Sequence, residues 1–151
     1  MQKNPAKKKS SRRDIVIDAN VMRLYDKPAD PLFKQLFAWL ASKGVLCVSP
    51  YLMREYQEAG NRDLAGLILM LIDAKRFDSI PKAKIDSFTD DKHYKYTCNF
   101  KDIRHARLVF LSARKRLVSF DKKLRDDVNG FRKVKRVQPS AVRTPDKSFY
   151  D

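Results

Sequence analysis

The sequence predicts a three-layer α/β/α fold around a central, mostly parallel sheet. Three short, mostly apolar runs carry that prediction, at 15–17, 45–48 and 117–120. Apolar runs of this length are typical of strands that are buried on both faces. Helical patterns separate the runs, and strands that alternate with helices favour a parallel sheet covered on both sides. The chain has 151 residues, 43% of them hydrophobic, which suits one domain with such a core.

The first half of the chain gives the clearest elements. After the first strand, the proline-containing stretch 27–31 breaks the chain, and residues 32–42 place apolar side chains on one face of a helix. The second strand then leads into Ser49 and Pro50, which suit the N-cap and first position of a helix that runs to Glu58. We therefore expect a β-α-β-α arrangement over residues 14–58.

A further helix is predicted over residues 62–76, and it is more apolar than one buried face requires. Leu64, Leu67, Ile68 and Leu71 would fill such a face, yet Leu69, Met70 and Ile72 are apolar as well. The excess has two readings, additional core or the surface of a homodimer. Both stay open on the sequence alone.

The second half is assigned from apolar periodicity and turn residues. We predict a turn at 78–81, a helix over 102–114, a third strand over 117–120, a short helix over 122–128 and a last strand over 134–137. The chain then reads β-α-β-α-α-loop-α-β-α-β. Residues 1–13 are predicted to be a disordered basic tail, residues 14–142 the folded domain, and residues 143–151 a C-terminal tail.

Charge is concentrated in two segments of this strongly basic chain. The net charge is +15, and residues 1–13 carry six Lys and Arg without an acid. Residues 101–136 carry thirteen Lys and Arg against four Asp. A protein this basic favours polyphosphate partners, with a solvated basic face as the alternative.

No apolar run approaches the roughly 18 residues of a membrane helix. Two cysteines without CxxC spacing predict a cytoplasmic protein and no zinc site.

Four carboxylates fall at strand ends or within a turn of the helices that follow. Asp18 ends the first strand, Asp121 ends the third, and Glu55 follows the second. Asp102 precedes Asp121 by 19 residues, enough for one helix, a short connection and one strand, so both fall on the same side of the sheet. Carboxyl ends of parallel strands meet at one edge, where α/β proteins bind ligands. Four acids there would repel one another unless a divalent cation lay among them.

These residues resemble the PIN domain, a nuclease fold found in toxin–antitoxin ribonucleases and RNA-processing enzymes. The matching pieces are IVIDANV around Asp18, VSPYLMREYQEAG around Glu55, KDIRHARLVFLSARKRLVSFDKKL around Asp102 and Asp121, and VKRVQPSAV near the end. The order and spacing of the four acids follow the family pattern. Arg104, His105 and Arg107 depart from it, because the family carries small or apolar residues in that helix.

The resemblance implies a metal-dependent endoribonuclease that uses Mg²⁺ or Mn²⁺. Asp18 and Asp121 would be direct ligands, Glu55 and Asp102 would complete the site, and Asn20 and Ser119 would orient the carboxylates. Glu58 is the alternative to Glu55. RNA is the expected partner, and the toxin-like relatives imply an antitoxin as another. The residues expected to contact nucleic acid are Arg104, Arg107, Arg114, Lys115, Arg116, Lys122 and Lys123.

Other interpretations of the same sequence remain open. One is an RNA-binding module that keeps the fold without catalysis, and another is a DNA-directed nuclease of related fold. The sequence does not separate a toxin from an RNA-processing enzyme. His93 and His105 are candidate acid–base groups, although we expect each to be a surface histidine.

Overall fold

A five-stranded, all-parallel sheet forms the centre of the protein. The computed structural model describes residues 13–59 and 62–151. The strands are β1 (Asp14–Ile17), β2 (Val45–Val48), β3 (Phe77–Ser79), β4 (Arg116–Val118) and β5 (Ser140–Val142). Their order across the sheet is β3-β2-β1-β4-β5, and every neighbouring pair is parallel. The predicted α/β class is confirmed, and the sheet is parallel throughout. Most of the predicted tail, residues 1–12, lies outside the described residues.

Helices flank this sheet and connect its strands. They are α1 (Ala19–Met22), α2 (Pro31–Ser42), α3 (Pro50–Glu58), α4 (Arg62–Asp73), α5 (Lys82–Asp86), α6 (Phe100–Leu111), α7 (Lys122–Gly130) and α8 (Lys147–Tyr150). Within the described ranges, none of them is long and apolar enough to cross a membrane. Residues 143–151 include α8, and its Tyr150 packs against Trp39 with ring centroids 4.9 Å apart.

Polar side chains cap the starts of several of these helices, and the cap at Ser49 is the one that the sequence predicted. Ser49 accepts a hydrogen bond from the Leu52 amide at 3.1 Å, ahead of Pro50 at the first position of α3. Asp30 caps α2 in the same way, and Asn99 caps α6. Each cap satisfies an amide that has no partner inside its helix. The caps thus fix where the chain leaves each strand or loop and turns back along the sheet.

Two edge strands were not predicted correctly. The predicted turn at 78–81 is wrong at its start, because Phe77–Ser79 pairs with β2 as strand β3. The last strand was predicted at 134–137, where the structure has an isolated antiparallel bridge between Val134 and Val137. Lys135 and Arg136 have φ values of 49° and 71°, which suit a tight turn and not a strand. β5 follows at Ser140–Val142. Edge strands of three residues with polar members carry little periodic signal.

The direction of the strands gives the sheet two distinct edges. We call the side where β1, β2 and β4 end the carboxyl edge, and the side where they begin the amino edge. β1 lies between β2 and β4, so the chain order reverses beside β1. In open parallel sheets such a reversal opens a crevice at the carboxyl edge, and ligands bind there. The fold therefore directs attention to the residues that follow β1 and β4.

Candidate metal centre

Asp18 is a buried carboxylate at the carboxyl end of β1. It caps α1 through the Ala19 amide at 2.8 Å, and its second oxygen accepts the Ser119 hydroxyl at 2.6 Å. Its exposed fraction is 6%. Burial raises the pKa of Asp18, while the hydrogen bond from Ser119 opposes that rise. The two hydrogen bonds fix the direction of the carboxylate, and its burial makes a compensating positive charge favourable.

Glu55 on α3 contacts a buried histidine that the sequence did not place correctly. A Glu55 carboxylate oxygen and Nε2 of His105 are in hydrogen-bond contact. His105 has an exposed side-chain fraction of only 1%, so its prediction as a surface histidine was wrong. The reason is helical phase, because His105 follows Asp102 by three residues on α6 and so turns toward the same site. His105 thereby joins the group as a basic member.

The pKa shifts of this pair show how closely it is coupled to the other acids. Burial lowers the pKa of His105, but the hydrogen bond and charge of Glu55, together with Asp18 and Asp102, raise it, and the net shift is upward. Burial raises the pKa of Glu55, but the hydrogen bond and charge of His105, together with the charges of Arg104 and Arg23, lower it, and the net shift is downward. A protonated His105 is therefore favoured beside a charged Glu55.

Asp102 and Asp121 approach each other from the starts of two helices. Asp102 lies in the first turn of α6, and Asp121 caps α7 through the Leu124 amide at 3.1 Å. Burial, followed by a hydrogen bond to Asp121, raises the pKa of Asp102 to about 6. The charge of Asp18 contributes to the same rise. Near neutral pH these acids therefore repel one another at short range.

The structure brings the four predicted acids to the carboxyl edge and adds His105. Ligand atoms of Asp18, Glu55 and His105 all lie within 4.8 Å of one another, a grouping that could hold a metal ion. Asp102 and Asp121 adjoin this trio through the contacts already described. The carboxylate oxygens of this set suit a hard divalent cation, whereas a protonated His105 would have to lose a proton before its nitrogen could bind one.

Two predicted supporting residues lie where they can orient the acids. Ser119 donates to Asp18 and also accepts the Asp121 amide at 3.0 Å, so one hydroxyl links the ends of β1 and β4. Asn20 accepts the Phe120 amide at 3.3 Å across the same gap. Glu58, the alternative to Glu55, is exposed and pairs with Arg54 at 3.7 Å. Glu55 is therefore the acid of α3 that adjoins the site.

The residues predicted to bind nucleic acid divide into two places. Arg104 lies near the site. Its guanidinium is 4.0 Å from the Tyr51 ring centre, and its positive charge contributes to lowering the pKa of Glu55. On α7, Lys122 pairs with Asp126 at 2.8 Å and Lys123 is exposed. Arg107 is held by the buried Asp91 at 2.8 Å. Arg104, Lys122 and Lys123 thus keep access to solvent on the elements that carry the acids.

Arg114, Lys115 and Arg116 lie at the amino edge, away from the four acids. Arg114 donates to the Asp14 carbonyl at 2.8 Å, and Arg116 donates to the Phe149 carbonyl at 2.6 Å. Lys115 is buried, and its ammonium donates to the Ser112 carbonyl at 2.6 Å. These three cations bind the chain itself at the start of β4, so we do not include them in the functional surface.

Sequence reasoning also missed two cations near the acids. The charge of Arg23 lowers the pKa of Glu55, and Arg125 donates to the Ser119 carbonyl at 3.0 Å. Only the spacing of Arg125 held a signal, because Arg125 follows Asp121 by four residues, about one helical turn, whereas Arg23 follows Asp18 by five. One helical turn after a strand-end acid returns a side chain to the same edge. With Arg104, these residues form what we call the basic rim of the site: Arg23, Arg104 and Arg125.

No protein-family model matches the chain, and no curated protein matches it with significance. The resemblance to PIN domains therefore stays a prediction that rests on motif order and on the fold described above. The site itself supports a coarser statement, that acidic groups at the carboxyl edge could hold a divalent metal ion.

Proposed function

We propose that this chain is a metal-dependent endoribonuclease of PIN-like architecture that hydrolyses RNA phosphodiester bonds. The observation that carries the proposal is the convergence of Asp18, Glu55, Asp102 and Asp121 at the carboxyl edge of a parallel sheet. Acids that have come together despite mutual repulsion are typical of sites that bind a cation. The net charge of +15 supports a polyanionic substrate.

The donor set fits Mg²⁺ or Mn²⁺. Asp18 and Glu55 present ligand atoms within 4.8 Å of each other, a separation compatible with oxygen ligands about 2.0–2.2 Å from one ion. Asp121 and Asp102 would complete the set directly or through water. A bound ion would polarise the phosphodiester and activate water for attack on phosphorus. Two ions of this kind commonly lie about 4 Å apart in nucleases.

The residues around the four acids would hold the carboxylates in place and attract the substrate. Ser119 holds Asp18 and the Asp121 backbone in one hydrogen-bonded unit, so the two strand-end acids cannot separate easily. His105 holds Glu55 through their hydrogen bond, and its raised pKa favours a positive charge among the acids. The basic rim would attract the phosphates of a strand before it reaches the acids. Because the rim and acids lie on the same elements, binding and chemistry would share one surface.

The decisive experiment is cleavage of labelled RNA with Mg²⁺ or Mn²⁺ by wild type and by Asp18→Asn. We expect wild type to cleave and Asp18→Asn to lose at least about 1,000-fold in rate, since it removes one charge from the ligand set. Asp126→Asn is the matched control, because that exposed acid on α7 pairs with Lys122 away from the site. It should cleave as wild type does. Equal cleavage by Asp18→Asn would overturn the proposal, and preference for flap DNA would redirect it to DNA.

One observation favours a second candidate, an RNA-binding module without catalysis. Glu55 is already bound to His105, which provides an internal cation where a metal would otherwise be needed. A site neutralised in this way could bind RNA through its basic rim alone. That candidate predicts salt-sensitive RNA binding with no turnover at any Mg²⁺ or Mn²⁺ concentration, and no change in unfolding temperature when metal is added.

A further inference from the structure

The helix α4 is apolar on both of its faces. Leu64, Leu67, Ile68 and Leu71 are buried against the core. On the opposite face, Leu69 is 68% exposed and Ile72 is 50% exposed. Three of the four large apolar side chains that the described residues leave exposed belong to this helix. A surface helix normally has only one apolar face, and a second, exposed apolar face is typical of a protein–protein interaction site.

The exposed face forms a straight stripe with a charge at each end. Arg62, Gly66, Leu69 and Asp73 follow one another at intervals of four, three and four residues, which places them on one line along the helix. Neither Arg62 nor Asp73 has an ion-pair partner within the part of the chain that the structure describes. From its start to its end, the stripe therefore consists of a positive charge, a residue without a side chain, a large apolar side chain and a negative charge.

Gly66 leaves a hole in the middle of the stripe. A Cβ atom built at Gly66 meets nothing within 4 Å, so the space above it is open. Ala65 beside it is also small. Close approach of another helix is favoured where small residues interrupt an apolar face, because a large side chain of the partner fills the gap. A leucine is the size of side chain that such a gap accepts.

The stripe on one copy of α4 is complementary to the same stripe on a second copy that runs in the opposite direction. In an antiparallel pairing about a two-fold axis at the helix centre, Arg62 meets Asp73 of the second copy, and Gly66 meets Leu69 of the second copy. Each contact occurs twice, as a two-fold interface requires. We propose that α4 is the interface of a homodimer, in which two copies of this chain pair their α4 helices in antiparallel fashion.

Charge argues for a second copy and against nucleic acid at this face. α4 carries Arg62, Asp63 and Asp73, a net charge of −1 in a chain of +15. A polyanion would be attracted to the rest of the molecule instead. An apolar groove of about 590 Å³ between α3 and α4 continues the stripe, with Met53, Ile68 and Ile72 in its lining. The second copy would cover this groove as well.

The test is sedimentation velocity of the full chain from about 1 to about 100 μM, since small interfaces often dissociate in the micromolar range. We expect wild type to sediment as a dimer within that range. Leu69→Glu should weaken association by at least about 30-fold. Phe100→Glu is the matched control, because Phe100 is 81% exposed on α6, and it should not change association.

Gly66→Leu separates the interface from the fold. Leucine fits the open space above the helix and favours helix over glycine, so the monomer should be at least as stable as wild type while the dimer is lost. Arg62→Asp should weaken association about 3- to 10-fold, and adding Asp73→Arg should restore it. A wild type that stays monomeric, or a dimer that survives both Leu69→Glu and Gly66→Leu, would overturn the proposal. Failure of the double charge reversal to recover would overturn the antiparallel arrangement.

Discussion

The two edges of the sheet each hold a buried acid on or beside β1, but they differ in what compensates its charge. At the amino edge, Asp14 accepts the amides of Ala113 at 2.7 Å and Arg114 at 3.0 Å, and the Arg114 guanidinium lies 3.6 Å away. At the carboxyl edge, Asp18 has an amide and a hydroxyl but, among the described residues, no guanidinium or ammonium partner. Burial raises the pKa of both acids.

The difference extends to the neighbours of each acid. Asp14 belongs to a second group that could hold a metal, with Cys47 and Asp78. That group has Arg114 and the buried Lys115 beside it, so its charge is already balanced. The four acids of the carboxyl edge have only His105 in ion-pair contact within the described ranges. A buried acid is therefore weak evidence for function, whereas several acids that converge at one sheet edge with a single ion-pair partner among the described residues could hold a cation.

The largest effect that this comparison predicts is on stability at the amino edge. Asp14→Asn removes the charge that faces Arg114 and one acceptor for two amides, so we expect a loss of about 3 kcal/mol in the free energy of unfolding. Asp18→Asn should change the same quantity by less than about 1 kcal/mol, because relief of repulsion offsets its lost acceptor. Urea unfolding without metal measures both. Equal losses would mean that the two edges are compensated alike.

The second prediction concerns pH. The folded pKa of Asp102 is raised to about 6, so the folded state binds more protons than the unfolded chain between about pH 4 and 6, and stability falls as pH rises through that window. The upward shift of His105 acts in the same direction at higher pH, because its stabilisation is complete below about pH 6.5 and is lost as pH rises through the folded pKa.

Asp102→Asn should remove the contribution of Asp102 to the pH dependence of the free energy of unfolding. The variant should exceed wild type by about 1 kcal/mol at pH 8 without metal, a figure already reduced for solvent screening of a half-exposed group. At pH 5 the gain should shrink. Urea unfolding with a chelator at both values measures it. A variant less stable than wild type at both pH values would show that Asp102 is stabilised, not strained, by its neighbours.

The smallest predicted effect is on the salt dependence of RNA binding, to which the cations of the carboxyl edge should contribute and those of the amino edge should not. Arg104→Gln, together with Lys123→Gln, should reduce the slope of log K against log salt for single-stranded RNA by about 1.4, or roughly 0.7 for each phosphate that is no longer neutralised. Lys135→Gln neutralises an exposed cation close to Lys115 at the amino edge and should leave the slope unchanged. Fluorescence anisotropy at several salt concentrations gives the slopes. A larger change from Lys135→Gln would place the RNA surface at the amino edge.

Much of the fold and the acid positions could be predicted because their signals are local. Residues 15–17 of β1 and all of β2 are apolar, Asp18 directly follows β1, and Asp121 lies three residues past β4. β3 and β5 were missed since three-residue edge strands containing Asp78 or Ser140 have no distinctive period. His105 was predicted to be a surface residue although its spacing of three from Asp102 turns it toward the site, where its partner Glu55 lies 50 residues away in sequence.

The basic cluster at Arg114 teaches a different point. It adjoins Asp121 in sequence, yet one strand separates them, and a strand carries the chain from one edge of the sheet to the other. The sequence therefore contained the information that the cluster and the acid lie on opposite edges. Proximity in sequence is a poor guide to a shared site wherever a strand intervenes.

Calorimetric titration of Mn²⁺ into the protein tests most directly whether the carboxyl edge is the cation site. Wild type, Asp18→Asn and Asp78→Asn would be compared, the last removing an acid from the group at the amino edge. We predict that wild type and Asp78→Asn bind Mn²⁺ with similar affinity and that Asp18→Asn binds at least about 10-fold more weakly. Absence of binding to wild type at about 10 mM Mn²⁺, far above the range of a functional site, would contradict the account. Binding lost in Asp78→Asn and kept in Asp18→Asn would place the metal at the other edge.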